Sequence, residues 1–378
     1  MSIYFRDATL GIFYKWIESW DKAIERFEIL VRLKDDNPSC YGNLAESYRA
    51  IGLYNKTDDI LKTYIKEFYD HYIIRECLAI SYACQGKYDL ALSEIAEALT
   101  INQNANKAIK GNIYLLRGDF AEAEKEYKKI LDSDTPAGQR QGRVRLFNLY
   151  LALGRFAKAK SVADEFMGLG DKRRAIEMKV EADMEKGNIQ QGLEEFSKLE
   201  RVDPDDKVYI SLKANLVEEA EKALEELKAS LEKAPNQKEA ARTTLYFQAE
   251  IEMKEGNYPK AIEHLKEAIY LLPFQYNMND KHAWFMVSLA KAYFKNGDLE
   301  DAQREYEKII GLTTGRINFG DTYAKSFYML GKIHEQRGDN ALAVENYEKF
   351  LELWKDADPG IAEVEDARAR VAALRGIT

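Results

Sequence analysis

Eight glycines recur in the same surroundings along this chain: Gly52, Gly86, Gly118, Gly154, Gly187, Gly256, Gly297 and Gly338. They lie 34, 32, 36, 33, 69, 41 and 41 residues apart, and the 69 is close to two periods, so one repeat lacks its glycine. Self-similarity at such a period is the mark of a stacked repeat array. Four residues before the glycine stand Tyr48, Tyr82, Tyr114, Tyr150 and Tyr293, whereas Asp183 and Glu252 replace the tyrosine in two repeats. Two after it come Tyr54, Tyr88, Phe120, Phe156 and Tyr258; five after, Thr57 and then mostly Ala (Ala91, Ala123, Ala159, Ala261, Ala302, Ala343); nine after, Leu61, Ile95, Tyr127, Leu265, Tyr306 and Tyr347. Steps of three and four put such residues on one helix face. The pattern therefore predicts a helix on each side of every glycine, the glycine supplying the left-handed backbone that ends the first. Asp119, Asn188, Asn257, Asp298 and Asp339 directly follow it and are expected to cap the second helix through their side chains.

Composition agrees with an all-α chain. Only 7 Pro and 22 Gly occur in 378 residues, and 46% of the residues are hydrophobic, which excludes a disordered tail. Pro38, Pro136, Pro204, Pro235, Pro273 and Pro359 fall at or near repeat junctions, and Pro259 falls in the first turn of a second helix, where it is tolerated. A net charge of −9 argues against nucleic acid as a partner. Cys40, Cys77 and Cys84 are an odd number without a CxxC, so neither disulfides nor a zinc site is expected, and a cytoplasmic location is. No stretch is long and apolar enough for a signal peptide or membrane span, so no membrane partner is expected.

The residues resemble the tetratricopeptide repeat (TPR). The first repeat shows Leu10, Gly11, Tyr14, Trp20, Ala23 and Phe27, with Glu18 where the turn glycine would stand; the last shows Leu330, Gly331, Gly338, Ala343 and Tyr347. The resemblance implies one α-solenoid of tandem helix-turn-helix hairpins, a superhelix, spanning 1–378. Repeats fall near 4–37, 38–71, 72–103, 104–137, 140–172, 173–206, 242–275, 283–316 and 324–357, with a degenerate one at 207–236, where Ala223 and Leu227 fit the second helix. Beyond Pro359, Ile361, Val364, Ala367, Val371 and Leu374 read as a capping helix over 361–375. The first repeat has no cap and carries Phe5, Phe13 and Trp16, a surface expected to dock a partner, to assemble copies of the chain, or to continue into a longer one. The segment FLELWKDADPGIAEVEDARARVAALRG is similar to C-terminal TPR arrays of large bacterial signalling proteins, which implies a sensor or interaction segment as an alternative function. Residues 274–282 and 315–323 stretch the last two periods to 41; they read as tolerated insertions, with loops serving a binding face as the alternative.

No constellation for catalysis stands out. The chain has no GxxxxGK[ST], HExxH or GxSxG, and its four histidines lie in separate repeats. The expectation is a non-enzymatic scaffold without cofactor or metal that binds protein or peptide in its concave groove. In TPR arrays the groove is lined by the first helices, at about three, six, ten and thirteen residues before the turn glycine. These positions give Asn112 and Asn148, whose amides suit an extended peptide backbone. Next comes a zone of Arg174, Glu177, Glu181, Tyr246 and Glu250. A basic, aromatic zone follows, of Trp284, Lys291, Phe294, Lys325, Tyr328 and Lys332, suited to an acidic partner.

Overall fold

The computed structural model describes residues 3–34, 36–103, 105–133 and 135–376, and residue 104, where the fourth repeat was expected to begin, lies outside them. Hairpins pair α1 (Ile3–Trp16) with α2 (Trp20–Arg32), α3 (Pro38–Ala50) with α4 (Tyr54–Glu67), and α5 (Tyr72–Cys84) with α6 (Tyr88–Ile101). Next are α7 (Lys107–Arg117) with α8 (Phe120–Leu131), α9 (Pro136–Ala152) with α10 (Phe156–Gly168), and α11 (Lys172–Lys186) with α12 (Ile189–Phe196). Then come α13 (Pro204–Lys213) with α14 (Val217–Leu231), α15 (Gln237–Lys254) with α16 (Tyr258–Tyr270), α17 (His282–Asn296) with α18 (Leu299–Gly311), and α19 (Gly320–Gln336) with α20 (Asn340–Leu353). The helix α21 (Ala362–Leu374) covers the end of the stack, and no strand occurs among the described residues. The architecture is an all-α solenoid.

The eight turn glycines all have φ between +66° and +95°. Two turns manage without glycine: Glu18 has φ +53° and Asn215 has φ +60°. Asn215 thus ends α13 as a glycine ends the other first helices. It sets the register so that Ala220 and Leu224, rather than Ala223 and Leu227, occupy the second-helix core positions; all four are buried. The small residue five after each turn, from Thr57 to Ala343, is fully buried, and Tyr127, Tyr306 and Tyr347, nine after, fill the space beside it. The pairing is tight: a Cβ on Gly111 would lie 2.4 Å from the Tyr127 ring, and one on Gly331 2.6 Å from the Tyr347 ring.

The expected caps are corrected. Asp119, Asn188, Asn257, Asp298 and Asp339 sit at the N-cap positions, but none makes a side-chain capping bond. Their ψ of about 60° departs from the extended conformation that aims a side-chain oxygen at the helix N–H groups. Two of them serve the carboxylates that replace the tyrosine. Asn188 donates to Asp183, which also accepts from Lys160 at 2.9 Å, and Asn257 donates to Glu252 at 2.8 Å, beside Lys260.

The superhelix winds far enough for its end to meet its beginning, and a seam joins the two. Glu18 forms a two-pronged, buried bridge with Arg242 on α15, both contacts at 2.6 Å. The first insertion docks on the α3–α4 turn: the Phe274 N–H donates to the Ala50 carbonyl at 3.0 Å, and Arg49 donates to the Tyr276 carbonyl at 3.0 Å. The second docks on the turns after α5 and α7: the Thr313 hydroxyl donates to the Cys84 carbonyl at 2.6 Å, and Arg316 donates to the Leu116 carbonyl at 2.9 Å. The insertions also hold each other, through the Gly315 N–H on the Met278 carbonyl and the Thr314 hydroxyl on Asp280. Last, buried Trp354 donates its indole N–H to the Ala152 carbonyl at 2.9 Å, and the Asp358 N–H donates to the Gly154 carbonyl. The lengthened segments at 274–282 and 315–323 are therefore neither idle insertions nor simple surface loops. Together with Thr313, Thr314, the Glu18–Arg242 bridge and Trp354 they make up the seam.

Candidate functional site

Closure turns the concave groove into a chamber of about 1210 Å³. Its wall is built from the first helices α9, α11, α13, α15, α17 and α19 and from residues 318–322 of the second insertion. The first helices face inward because their opposite faces carry the small and aromatic residues that pack on the second helices. The chamber exceeds the roughly 300–1,000 Å³ of small-molecule sites.

The structure brings together Asn148, Arg174, Glu177, Glu181, Tyr246, Glu250, Trp284, Lys291, Phe294 and Lys332 on this wall. Three expected residues go elsewhere. Asn112 is buried and accepts from the Tyr127 hydroxyl at 2.8 Å, so it forms no ladder with Asn148, which instead donates to Asn318 at 3.0 Å. Tyr328 is buried and donates to Asp366 of α21 at 2.7 Å, because the capping helix claims that face of α19. Lys325 is drawn into ion pairs with Asp321 at 3.2 Å and Glu185 at 3.5 Å.

The wall also holds residues that the glycine register did not point to: Glu185, Asp203, Asp205, Asp206, Tyr209, Lys213, Phe319 and Asp321. Several of them stand on or before α13. Asn215, read as a glycine substitute, would have placed Tyr209 six residues before a turn, the lining position.

Charge is organised along the wall. Glu177 pairs with Arg173 at 2.7 Å and Arg174 at 3.2 Å, and Asp203 pairs with Arg173 at 2.9 Å. Glu185 accepts from Lys213 at 2.7 Å and from the Tyr209 hydroxyl at 2.8 Å. Burial opposes ionisation of Glu185, but the Lys213 and Lys325 ammonium groups outweigh it and hold that carboxyl well below the usual range. Glu181 is different. It makes no hydrogen bond or ion pair among the described residues, and its enclosure in the wall pushes it up to about 7, with Glu185 and Asp321 adding to the rise against Arg174. Asp206 is pushed up to about 6 by burial and by Asp205, Glu177 and Asp203. Lys291 keeps its accessible surface toward the chamber, yet desolvation by the surrounding wall, with Lys213 beside it, lowers its ammonium below the usual range against the pull of Glu250. An aromatic platform lies between these zones: the Tyr246 and Trp284 ring centres are 4.1 Å apart, and Phe319 lies parallel to Trp284 at 6.0 Å.

No group of His, Cys, Asp and Glu among the described residues is arranged to hold a metal, and no described helix is long and apolar enough to cross a membrane. Cys77 and Cys84 are free thiols, and burial pushes Cys77 up to about 11 and Cys84 up to about 12.

Tetratricopeptide repeat family models match residues 108–135, 252–315 and 287–360. No curated protein matches the sequence. Among solved structures the chain is similar to yeast Tom70, at 15% identity and a TM-score of 0.42, over 98% of this chain and 88% of that one. It is also similar to the Cut9–Hcn1 hetero-tetramer of the APC/C, at 13% identity and a TM-score of 0.46, over 98% of this chain and 75% of that one. The hairpins within 108–135 and 252–360 are tetratricopeptide repeats, and the chain is an α-solenoid of helical hairpins.

Proposed function

We propose that this protein-interaction scaffold holds a peptide segment of its partner in the half-open chamber. The observation that carries the reading is a preformed concave wall with an aromatic platform and charged side chains, such as Glu181 and Lys291, that make no ion pair among the described residues. Preformed apolar surface with a few convergent polar groups is what a recognition site requires. The basic stretch at Lys291 and Lys332 suits an acidic part of the partner, and the mechanism is capture on a rigid surface rather than chemistry. A photo-crosslinking residue placed at Phe294, on the chamber wall, is expected to trap a partner. The same residue at Leu342, exposed on α20, is not. Trapping from Leu342 alone refutes the reading.

A second reading rests on a separate observation. The outer face of α1 leaves Phe5, Ile12, Phe13 and Trp16 exposed, which supports self-association through the first hairpin. Light scattering over a hundredfold concentration range that shows only monomer removes it.

A further inference from the structure

The charges left over inside the chamber define the kind of peptide it takes. Setting aside those matched within the wall (Glu177 and Asp203 with the α11 arginines, Glu185 and Asp321 with Lys213 and Lys325) leaves two groups. Glu181, Asp205, Asp206 and Glu250 make no ion pair among the described residues, and they stand on α11, α13 and α15. Lys254, Lys291, Lys295 and Lys332 make none either, and they stand on α15, α17 and α19. The unmatched anions thus run from α11 to α15 and the unmatched cations from α15 to α19, the two signs meeting on α15. Trp284 and Tyr246 lie on the helices where one sign gives way to the other.

Like charges confined without counter-charges destabilise one another, and here the wall has settled that cost partly by shifting protonation. Glu181 and Asp206 are held toward the neutral acid, and Lys291 is lowered toward the neutral amine. A ligand of one sign relieves only half of this arrangement and is repelled by the other half. A ligand with a cation at one end and an anion at the other relieves both.

Resting on the reading above, we infer that the chamber binds a short amphoteric peptide in one direction, its cationic end on Glu181 and Asp206, its anionic end on Lys291, and an apolar side chain between them against Trp284. The lining helices are spaced by roughly 10 Å, and the anchors on α11 and α13 stand two to three spacings from Lys291 on α17. An extended peptide of about six to nine residues at ~3.4 Å each spans that distance.

The test uses the intact chain and a library of random linear peptides with free termini. Peptides enriched on the wild type are expected to carry a basic group toward one end and an acidic group toward the other. Acetylating the basic group or amidating the acidic one should each weaken binding about tenfold or more. Acetylation should then cost nothing further on a Glu181→Gln/Asp206→Asn chain, nor amidation on a Lys291→Met chain. None of the three side chains makes a hydrogen bond or ion pair among the described residues, and each variant removes an unmatched charge, so these variants should melt no lower than the wild type. Enriched peptides of a single charge sign, or blocking reactions without effect on the wild type, overturn the polarity and leave the peptide-chamber reading standing. Enrichment of no peptide overturns both.

Discussion

Glu18 replaces the turn glycine of the first hairpin and holds φ at +53°. A side chain in the left-handed region costs about 1–2 kcal/mol, so on local grounds Glu18→Gly should stabilise the turn. The seam reverses that expectation. Glu18 and Arg242 have side chains 10% and 8% exposed and are joined by two bonds of 2.6 Å. Removing one partner of such a buried pair costs roughly 3–5 kcal/mol, because the other charge is left unmatched. The Arg242 guanidinium would keep only the Leu271 carbonyl, at 3.3 Å. Glu18→Gly should therefore destabilise the join by about 1–4 kcal/mol after the local relief. The double substitution Glu18→Gly/Arg242→Met removes the stranded charge and should recover most of that loss. Repeat arrays unfold in stages, so the assay is native-state hydrogen exchange at the amides of α1, α2 and the start of α15. Exchange should quicken at least about fivefold in the single variant and return toward wild type in the double. Unchanged or slower exchange in Glu18→Gly refutes the claim that this bridge holds the ring closed.

Asp280 gives the seam a pH dependence. Burial pushes its carboxyl up to about 7 from 3.8, against the Thr314 hydroxyl, the Asn277 N–H and the Arg49 guanidinium. His282, 3.9 Å away, has its own value lowered by burial. A folded value above the unfolded one contributes stability that is complete below about pH 4 and is lost as pH rises through about 7, at up to ~1.4 kcal/mol per pH unit. Amide exchange in 273–281 and 312–316 should therefore be slower at about pH 5.5 than at about pH 8 once corrected for intrinsic rates, and Asp280→Asn should abolish the difference. Trp354→Ala removes a fully buried indole and its bond to the Ala152 carbonyl; denaturant melts should show a loss of about 3–5 kcal/mol, and a loss below about 1 kcal/mol contradicts its place in the seam. Lys291→Glu with Lys332→Glu should abolish binding of an acidic partner and lower the circular dichroism melt by at most a few degrees, because neither lysine makes an ion pair among the described residues and Lys332 only overlies the Tyr328 ring at 5.4 Å; unchanged affinity rejects the basic zone.

Much of the fold was legible because each hairpin is specified locally. A glycine with positive φ, a small residue five positions on and a large one nine on repeat often enough to be read as a unit, and each hairpin packs chiefly on its neighbours. Legibility failed where the same conformation was reached with another residue. Glu18 could be inferred from its surroundings, but Asn215 was passed over, and with it the lining role of Tyr209 and the register of α14. Position counting found most of the chamber wall, since the first helices present one face to the groove. It misplaced Asn112, Lys325 and Tyr328 because each is claimed by a neighbour that periodicity does not reveal: the Tyr127 hydroxyl, the Glu185–Asp321 pair and the capping helix. The seam was illegible for a further reason. Its contacts between the two ends join residues 200 or more positions apart, such as Glu18 with Arg242 and Cys84 with Thr313, and depend on the accumulated rotation of every repeat between them.

Hydrogen exchange of the intact chain with and without a saturating selected peptide tests the chamber most directly. Binding inside it should protect α11, α13, α15, α17 and residues 312–322 together, because Phe319 lies on the chamber wall while Thr313 and Arg316 grip the first hairpins. Protection confined to the outer helices α14, α16 and α18, with the inner helices unchanged, contradicts the account.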